Sequence, residues 1–70
     1  MIVPGDRVWV VGGFRPARNK KGVVAGVEWV ETTYNAGYVY TVKLDQSLIE
    51  PKSGKEANGF LFNESELEKA

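Results

Sequence analysis

The chain alternates between short apolar runs and polar breaks. Runs rich in Val, Thr, Trp, Tyr and Phe, bounded by Gly, Pro, Asn and Asp, are typical of β-strands. This pattern predicts four strands, at residues 7–11, 22–33, 38–44 and 59–62. No segment has the three-to-four-residue apolar period of a long helix. The pattern therefore predicts an all-β protein.

Side-chain alternation assigns the two faces of the longer strands. In the third strand, one face carries Tyr38, Tyr40, Val42 and Leu44. In the second strand, alternation places Val23, Ala25, Val27 and Trp29 on one face and Val24, Gly26, Glu28 and Val30 on the other. Since both of these faces are partly apolar, the second strand is expected to curve, with Gly26 allowing a bend or bulge.

The polar segments between the strands predict the connections. Residues 15–21 are expected to form a loop and residues 34–37 a hairpin turn, whereas residues 46–58 have no period and predict a long irregular loop. Asn63 is followed three residues later by Glu66, a helix N-cap pattern. This pattern predicts a short 3-10 turn and then a last extended segment.

Four or five short, curved strands in one domain of residues 1–70 must cover their edges, and closure into a small barrel achieves this. A chain of this size buries a core that only marginally offsets its conformational entropy. Self-association therefore remains open as a source of stability.

Four motifs resemble those of the SH3-like small barrels, including the KOW-type domains. Residues 4–10 are similar to an opening Gly-Asp-x-Val-x-Val strand, and residues 21–27 to the Lys-Gly-x-Val-x-x-Val strand of KOW-type members. Residues 40–45 resemble the third strand and residues 62–68 the acidic turn before the last strand. The resemblance implies a five-stranded SH3-like barrel with a short 3-10 turn near the C-terminus.

The activities within this superfamily diverge. KOW-type domains bind RNA or protein partners, and the accessory barrels of the photosystem I type dock electron-transfer proteins. Plasmid-type dihydrofolate reductases assemble four barrels around a pore, but their Val-Gln-Ile-Tyr motif is not matched by residues 39–42. The resemblance therefore implies a fold more strongly than a function.

The composition limits the metal-binding and catalytic chemistry that the chain can perform. The chain has nine Lys and Arg against nine Asp and Glu, and it has neither Cys nor His. The commonest metal ligands and the usual general base near neutral pH are therefore missing, and we expect no enzyme activity, catalytic residue, cofactor or metal. No apolar run approaches the length of a membrane helix, and no targeting segment is evident. The expected location is the cytoplasm, away from any membrane.

The charges separate along the chain. Residues 1–27 hold five cations against one acid, and residues 28–70 hold four cations against eight acids. Four of the cations fall within seven residues, beside Phe14: Arg15, Arg18, Lys20 and Lys21. Such a loop suits an anionic partner, because Arg pairs with phosphates and carboxylates through a planar fork. The alternative is a solvated loop that pairs with the acidic side of its own domain.

The aromatic residues supply the second candidate feature. If Val8 and Val10 point inward, Trp9 points outward, and Tyr34 lies at a hairpin tip. With Tyr38, these two side chains suggest a patch for stacking or for binding proline-rich segments, whereas Trp29 is expected in the core or near the end of the barrel. The alternative is that the large aromatic side chains seal the ends of the barrel.

The acidic residues suggest structural roles. Asp6 is expected to cap the turn before the first strand, Asp45 to end the third strand, and residues 64–68 to form a solvated acidic edge. The sequence therefore predicts a non-enzymatic binding module whose surface comprises Trp9 and Tyr34 with the four cations of residues 15–21. A protein partner or self-association is favoured by the neutral total charge, and binding of RNA or DNA is the alternative.

Overall fold

A single antiparallel sheet holds all five strands in the computed structural model, which describes residues 1–70. The strands are β1 (Arg7–Val10), β2 (Lys21–Glu31), β3 (Ala36–Ile49), β4 (Glu56–Asn63) and β5 (Leu67–Lys69), in the order β4-β3-β2-β1-β5. The only helical elements are 3-10 turns at Arg15–Ala17 and Glu64–Glu66. The all-β prediction is confirmed. No pairing joins β4 to β5, so the closed barrel stays a prediction.

The core follows rows of paired residues across the sheet, because directly opposite residues of an antiparallel pair share a face. These rows run Val10–Leu67, Val8–Gly22–Leu44, Val24–Val42–Phe60 and Val27–Tyr40–Phe62. Except for the exposed Val27 and the half-buried Phe60, the residues of these rows are buried. Ile2 and Ala17 complete the buried set, and Phe14, Leu48 and Phe60 pack against it. The predicted shared face of Tyr38, Tyr40, Val42 and Leu44 is confirmed; the last three are buried in the core, and Tyr38 is exposed.

A β-bulge at Ala25 reverses the alternation of β2. Val24 pairs with Val42, but Gly26 pairs with Thr41, so Ala25 is one extra residue without a partner. Val24 and Val27 therefore face the same side although they are three residues apart. The predicted bulge is confirmed, whereas the prediction that Val23 and Val27 share a face is wrong.

The prediction of an irregular loop at residues 46–58 is wrong over most of that range. β3 continues to Ile49 and β4 begins at Glu56, so only residues 50–55 connect them. The register shifts between Lys43–Gly59 and Leu48–Ala57, which leaves four residues of β3 opposite one of β4. This irregular pairing removes the two-residue period by which a strand is recognised in a sequence.

The β2–β3 turn lies two residues earlier than predicted. The Thr32 N–H donates to the carbonyl of Asn35, and the Thr32 hydroxyl oxygen accepts from the Asn35 N–H. Ala36 and Gly37 already belong to β3. The predicted N-cap is confirmed, because Asn63 and Glu66 form a capping box at the second 3-10 turn, with the Asn63 N–H 2.7 Å from Glu66 Oε1.

The helical content is confined to these two three-residue turns. Neither the turns nor any other part of the structure forms a helix with the length and apolar character needed to cross a membrane.

Candidate binding surface

Trp9 and Lys21 form the centre of the candidate surface. The two residues are paired across β1 and β2, and the Lys21 ammonium lies 4.7 Å from the centre of the Trp9 ring. Val8 and Val10 are fully buried, so Trp9 points away from the core and is 39% exposed. The predicted outward orientation of Trp9 is confirmed. A cation over an aromatic face is attracted by the ring quadrupole, which holds the ammonium at this position.

The 3-10 turn at Arg15–Ala17 presents the remaining cations. Ala17 is fully buried and anchors the turn, and Pro16 at its start suits the fixed backbone angle of the first helical residues. Arg15 and Arg18, which flank Pro16 and Ala17, are exposed, and Lys20 is half-buried. We call the set Trp9, Arg15, Arg18, Lys20 and Lys21 the basic surface.

None of the four cations of the basic surface forms an ion pair. The structure contains two ion pairs, Arg7–Asp45 and Lys69–Asp6, and neither includes a residue of the basic surface. The structure therefore shows no ion pairing between these cations and the acidic side of their own domain. Their charge is available to an external anion.

One acid flanks the basic surface. Trp9 pairs with Glu68 on its other side, so the outer face of β1 has Lys21 on one neighbouring strand and Glu68 on the other. Glu68 is exposed and forms no ion pair. A ligand with dense negative charge would therefore meet attraction at Lys21 and repulsion at Glu68.

Phe14 is not part of the basic surface. Its ring stacks on Phe60 with the centroids 5.1 Å apart, and it packs against the hydrophobic core. The sequence places Phe14 beside the cations of residues 15–21, but its ring packs against the hydrophobic core instead. Trp9 is the one exposed aromatic side chain that contacts a cation of this surface.

Tyr34 lies far from the basic surface. It is 96% exposed in the turn after β2, whereas Lys21 is the first residue of β2. At roughly 3.3 Å per residue, a strand of this length separates its two ends by up to ~30 Å. The structure therefore does not bring Tyr34 together with Trp9 and the cations, because they occupy opposite ends of β2.

A second aromatic feature occupies the hairpin of β2 and β3. Trp29 pairs with Tyr38, their rings meet edge to face at 5.0 Å, and they remain 55% and 47% exposed. This pair extends the core face beyond the last buried row, so Trp29 is outside the core. Beside it, a groove of about 200 Å³ is lined by residues 1–4, Val27, Tyr38 and Tyr40. Sequence reasoning missed this pair because the bulge at Ala25 was not located.

The acidic residues have mostly structural partners. Asp6 accepts the Val3 N–H at 3.0 Å, which holds its pKa below the ordinary value of 3.8, so its predicted capping role is confirmed. Asp45 does not end β3; it lies within the strand and accepts two hydrogen bonds from Arg7. Glu64 accepts the Tyr40 hydroxyl and Glu66 caps the second 3-10 turn. Two of the three glutamates of the predicted solvated edge are therefore engaged.

The comparisons with known proteins leave this surface as the main guide to function. No protein-family model, no curated protein and no solved structure matches the chain. The chemistry that the surface offers is recognition: four cations that form no ion pair, and one exposed indole for apolar or stacking contact.

Proposed function

We propose that this chain is a non-enzymatic binding module, an SH3-like barrel that docks an acidic segment of a protein partner through the basic surface. One observation carries the proposal: Lys21 lies over the exposed Trp9 ring at the start of β2, and none of the four cations in residues 15–21 forms an ion pair within the chain. An exposed aromatic ring with a cation over it, next to further unpaired cations along the chain, suits a ligand that combines carboxylates with apolar side chains.

The strand order supports the SH3-like part of the proposal. The chain returns through a 3-10 turn so that β5 pairs with β1, and the bulged β2 pairs with both β1 and β3. This arrangement has the five strands and the short 3-10 turn before the last strand that the sequence resemblance implies. Closure of the sheet into a barrel is part of the proposal.

A polypeptide partner is favoured over a nucleic acid by the charge around Trp9. The net charge of the chain is zero, and Glu68 flanks Trp9 opposite Lys21. Affinity for nucleic acid depends on the number of phosphates neutralised, and an adjacent carboxylate opposes a regular polyanion. RNA or DNA binding nevertheless remains a second candidate, because an exposed indole beside lysine and arginine can stack on a base.

Fluorescence anisotropy tests the proposal. A labelled peptide of alternating glutamate and leucine and a labelled mixed-sequence RNA are each titrated with the protein at low and high salt. We expect the peptide to bind more tightly than the RNA, with binding weakened by salt because the contacts are exposed charges. Tighter RNA binding would favour the nucleic-acid function. If neither the peptide nor the RNA binds, the result would contradict the basic surface as a docking site.

Paired substitutions supply the control. Arg15→Ala with Arg18→Ala removes two exposed cations that form no ion pair, so the fold should be unaffected. Lys52→Ala with Lys55→Ala removes the same charge from the β3–β4 connection. The arginine variant should lose peptide binding and the lysine variant should retain it. Equal losses would show that net charge, rather than this surface, attracts the peptide.

A further inference from the structure

The two ends of β2 carry opposite charge. Residues 11–21 contain the four cations of the basic surface and no acid, whereas residues 22–42 contain Glu28 and Glu31 and no cation. Both glutamates are exposed, and neither forms an ion pair or a side-chain hydrogen bond. Two clusters of complementary charge along the sequence therefore coexist in one chain, and none of their charged side chains forms an ion pair. Glu28 and Glu31 lie on opposite faces of β2, because they are three residues apart in a regularly paired stretch.

The acidic end of β2 is also the aromatic end. Residues 27–38, which we call the aromatic hairpin, hold the Trp29–Tyr38 pair and the exposed Tyr34 as well as both glutamates. Glu31 follows Trp29 by two residues in a regularly paired stretch, so it lies on the same face. The hairpin thus combines exposed apolar rings with carboxylates, which is the ligand chemistry proposed for the basic surface.

The hairpin cannot reach the basic surface of its own molecule. β2 runs between the two clusters, and an ion pair requires its atoms within about 4 Å. A second copy has no such restriction, and zero net charge means that two copies do not repel one another at long range. Complementary charge, together with exposed aromatic rings on both surfaces, therefore favours a second copy of the chain as the ligand of the basic surface.

We propose that the aromatic hairpin of one molecule docks on the basic surface of a second copy. This inference rests on the proposed function, since it names the partner that supplies the acidic segment. Different surfaces meet at the contact, so a pair of molecules keeps one free hairpin and one free basic surface. Such a head-to-tail contact repeats into a ring or an open chain.

Sedimentation velocity of charge-reversed variants tests this inference. One variant carries Glu28→Lys with Glu31→Lys, and the other carries Arg15→Glu with Arg18→Glu. At low salt we expect the wild-type protein to form species of increasing mass as its concentration rises, and each variant alone to stay monomeric. High salt should dissociate the wild-type species, because charges at an exposed contact are screened.

Mixing the two variants gives the decisive result. The intact basic surface of the first variant meets the intact hairpin of the second, so the native contact can form again, and the two altered surfaces also carry opposite charges. We expect the mixture to associate although each variant alone stays monomeric. A variant with Lys52→Glu and Lys55→Glu changes the charge by the same amount outside both surfaces, and it should associate like the wild-type protein.

The outcomes separate this inference from the proposed function. A wild-type protein that stays monomeric at low salt while still binding the acidic peptide would overturn the inference and leave the proposed function standing. Association that persists in both charge-reversed variants would also overturn it, since the contact would lie elsewhere. Failure of peptide binding as well as association would overturn both.

Discussion

The hydroxyl of Tyr40 donates a 2.8 Å hydrogen bond to Glu64 Oε2, which joins the buried centre of β3 to the second 3-10 turn. The Tyr40 ring is 2% exposed, while Glu64 is exposed. This bond and the burial of the phenol raise the pKa of Tyr40 above its ordinary value of 10.0. A side-chain hydrogen bond thus attaches the turn that leads into β5 to the core.

Removal of this hydroxyl should destabilise the protein modestly. Tyr40→Phe keeps the ring in the core but removes the donor, and Glu64 can then be solvated, so the expected loss in free energy of unfolding is about 1 kcal/mol. Urea denaturation measures the loss. In the double variant with Glu64→Gln the two effects should be less than additive. Full additivity would mean that the hydrogen bond contributes nothing.

The same contact gives a pH dependence at the alkaline end. Because the folded pKa of Tyr40 is raised, its stabilisation is fully present below pH ~10 and is lost as the pH rises through the raised value. The difference in unfolding midpoint between the wild-type protein and Tyr40→Phe should therefore narrow at alkaline pH. A difference that stays constant across this range would contradict the assigned contact.

Asp6 gives a pH dependence at the acidic end. The Val3 N–H, and secondarily Lys69, stabilise the Asp6 carboxylate and lower its pKa below 3.8. This stabilisation is present above pH 3.8 and is lost as the pH falls through the lowered value. Asp6→Asn should therefore unfold at a lower temperature than the wild-type protein at neutral pH, and the difference should shrink in acid. Thermal unfolding monitored by circular dichroism at several pH values measures it.

Two glycines of β2 should respond in opposite ways to alanine. A Cβ on Gly22 would lie 2.5 Å from the Lys43 carbonyl oxygen and 2.8 Å from a methyl carbon of Val42, so the strands would have to separate. A Cβ on Gly26 would meet nothing within 4 Å. Gly22→Ala should cost about 1–3 kcal/mol or more, as overpacking does, whereas Gly26→Ala should be tolerated. Equal urea midpoints for the two variants would contradict the strand register.

The sequence predicts strands better than it predicts their pairing. Regular alternation identifies the inward residues of β1 and the central part of β3, because apolar side chains there must face the core. The extra residue at Ala25 and the shifted register after Lys43 depend on the neighbouring strands, so no local pattern reveals them. For this reason alternation wrongly assigns Trp29 to the face of Val23, and it predicts residues 46–58 as a loop.

The candidate site was predictable to a similar degree. Outward orientation of Trp9 and exposure of the arginines follow from local alternation and polarity. The position of Tyr34 depends on the direction of β2, which places the turn at the end remote from Lys21. The engagement of Asp45 by Arg7 joins residues 38 positions apart, and such a pairing cannot be read from spacing along the chain.

Chemical-shift mapping by NMR tests the central claim most directly, since each backbone N–H and the Trp9 indole N–H report separately. The labelled protein is titrated with the glutamate–leucine peptide at low salt. We predict that the largest shifts fall on Trp9, Arg15, Arg18 and Lys21, and that residues 50–55 do not change. Shifts confined to other parts of the sheet, or no shifts while the protein remains folded, would contradict the basic surface as the site of binding.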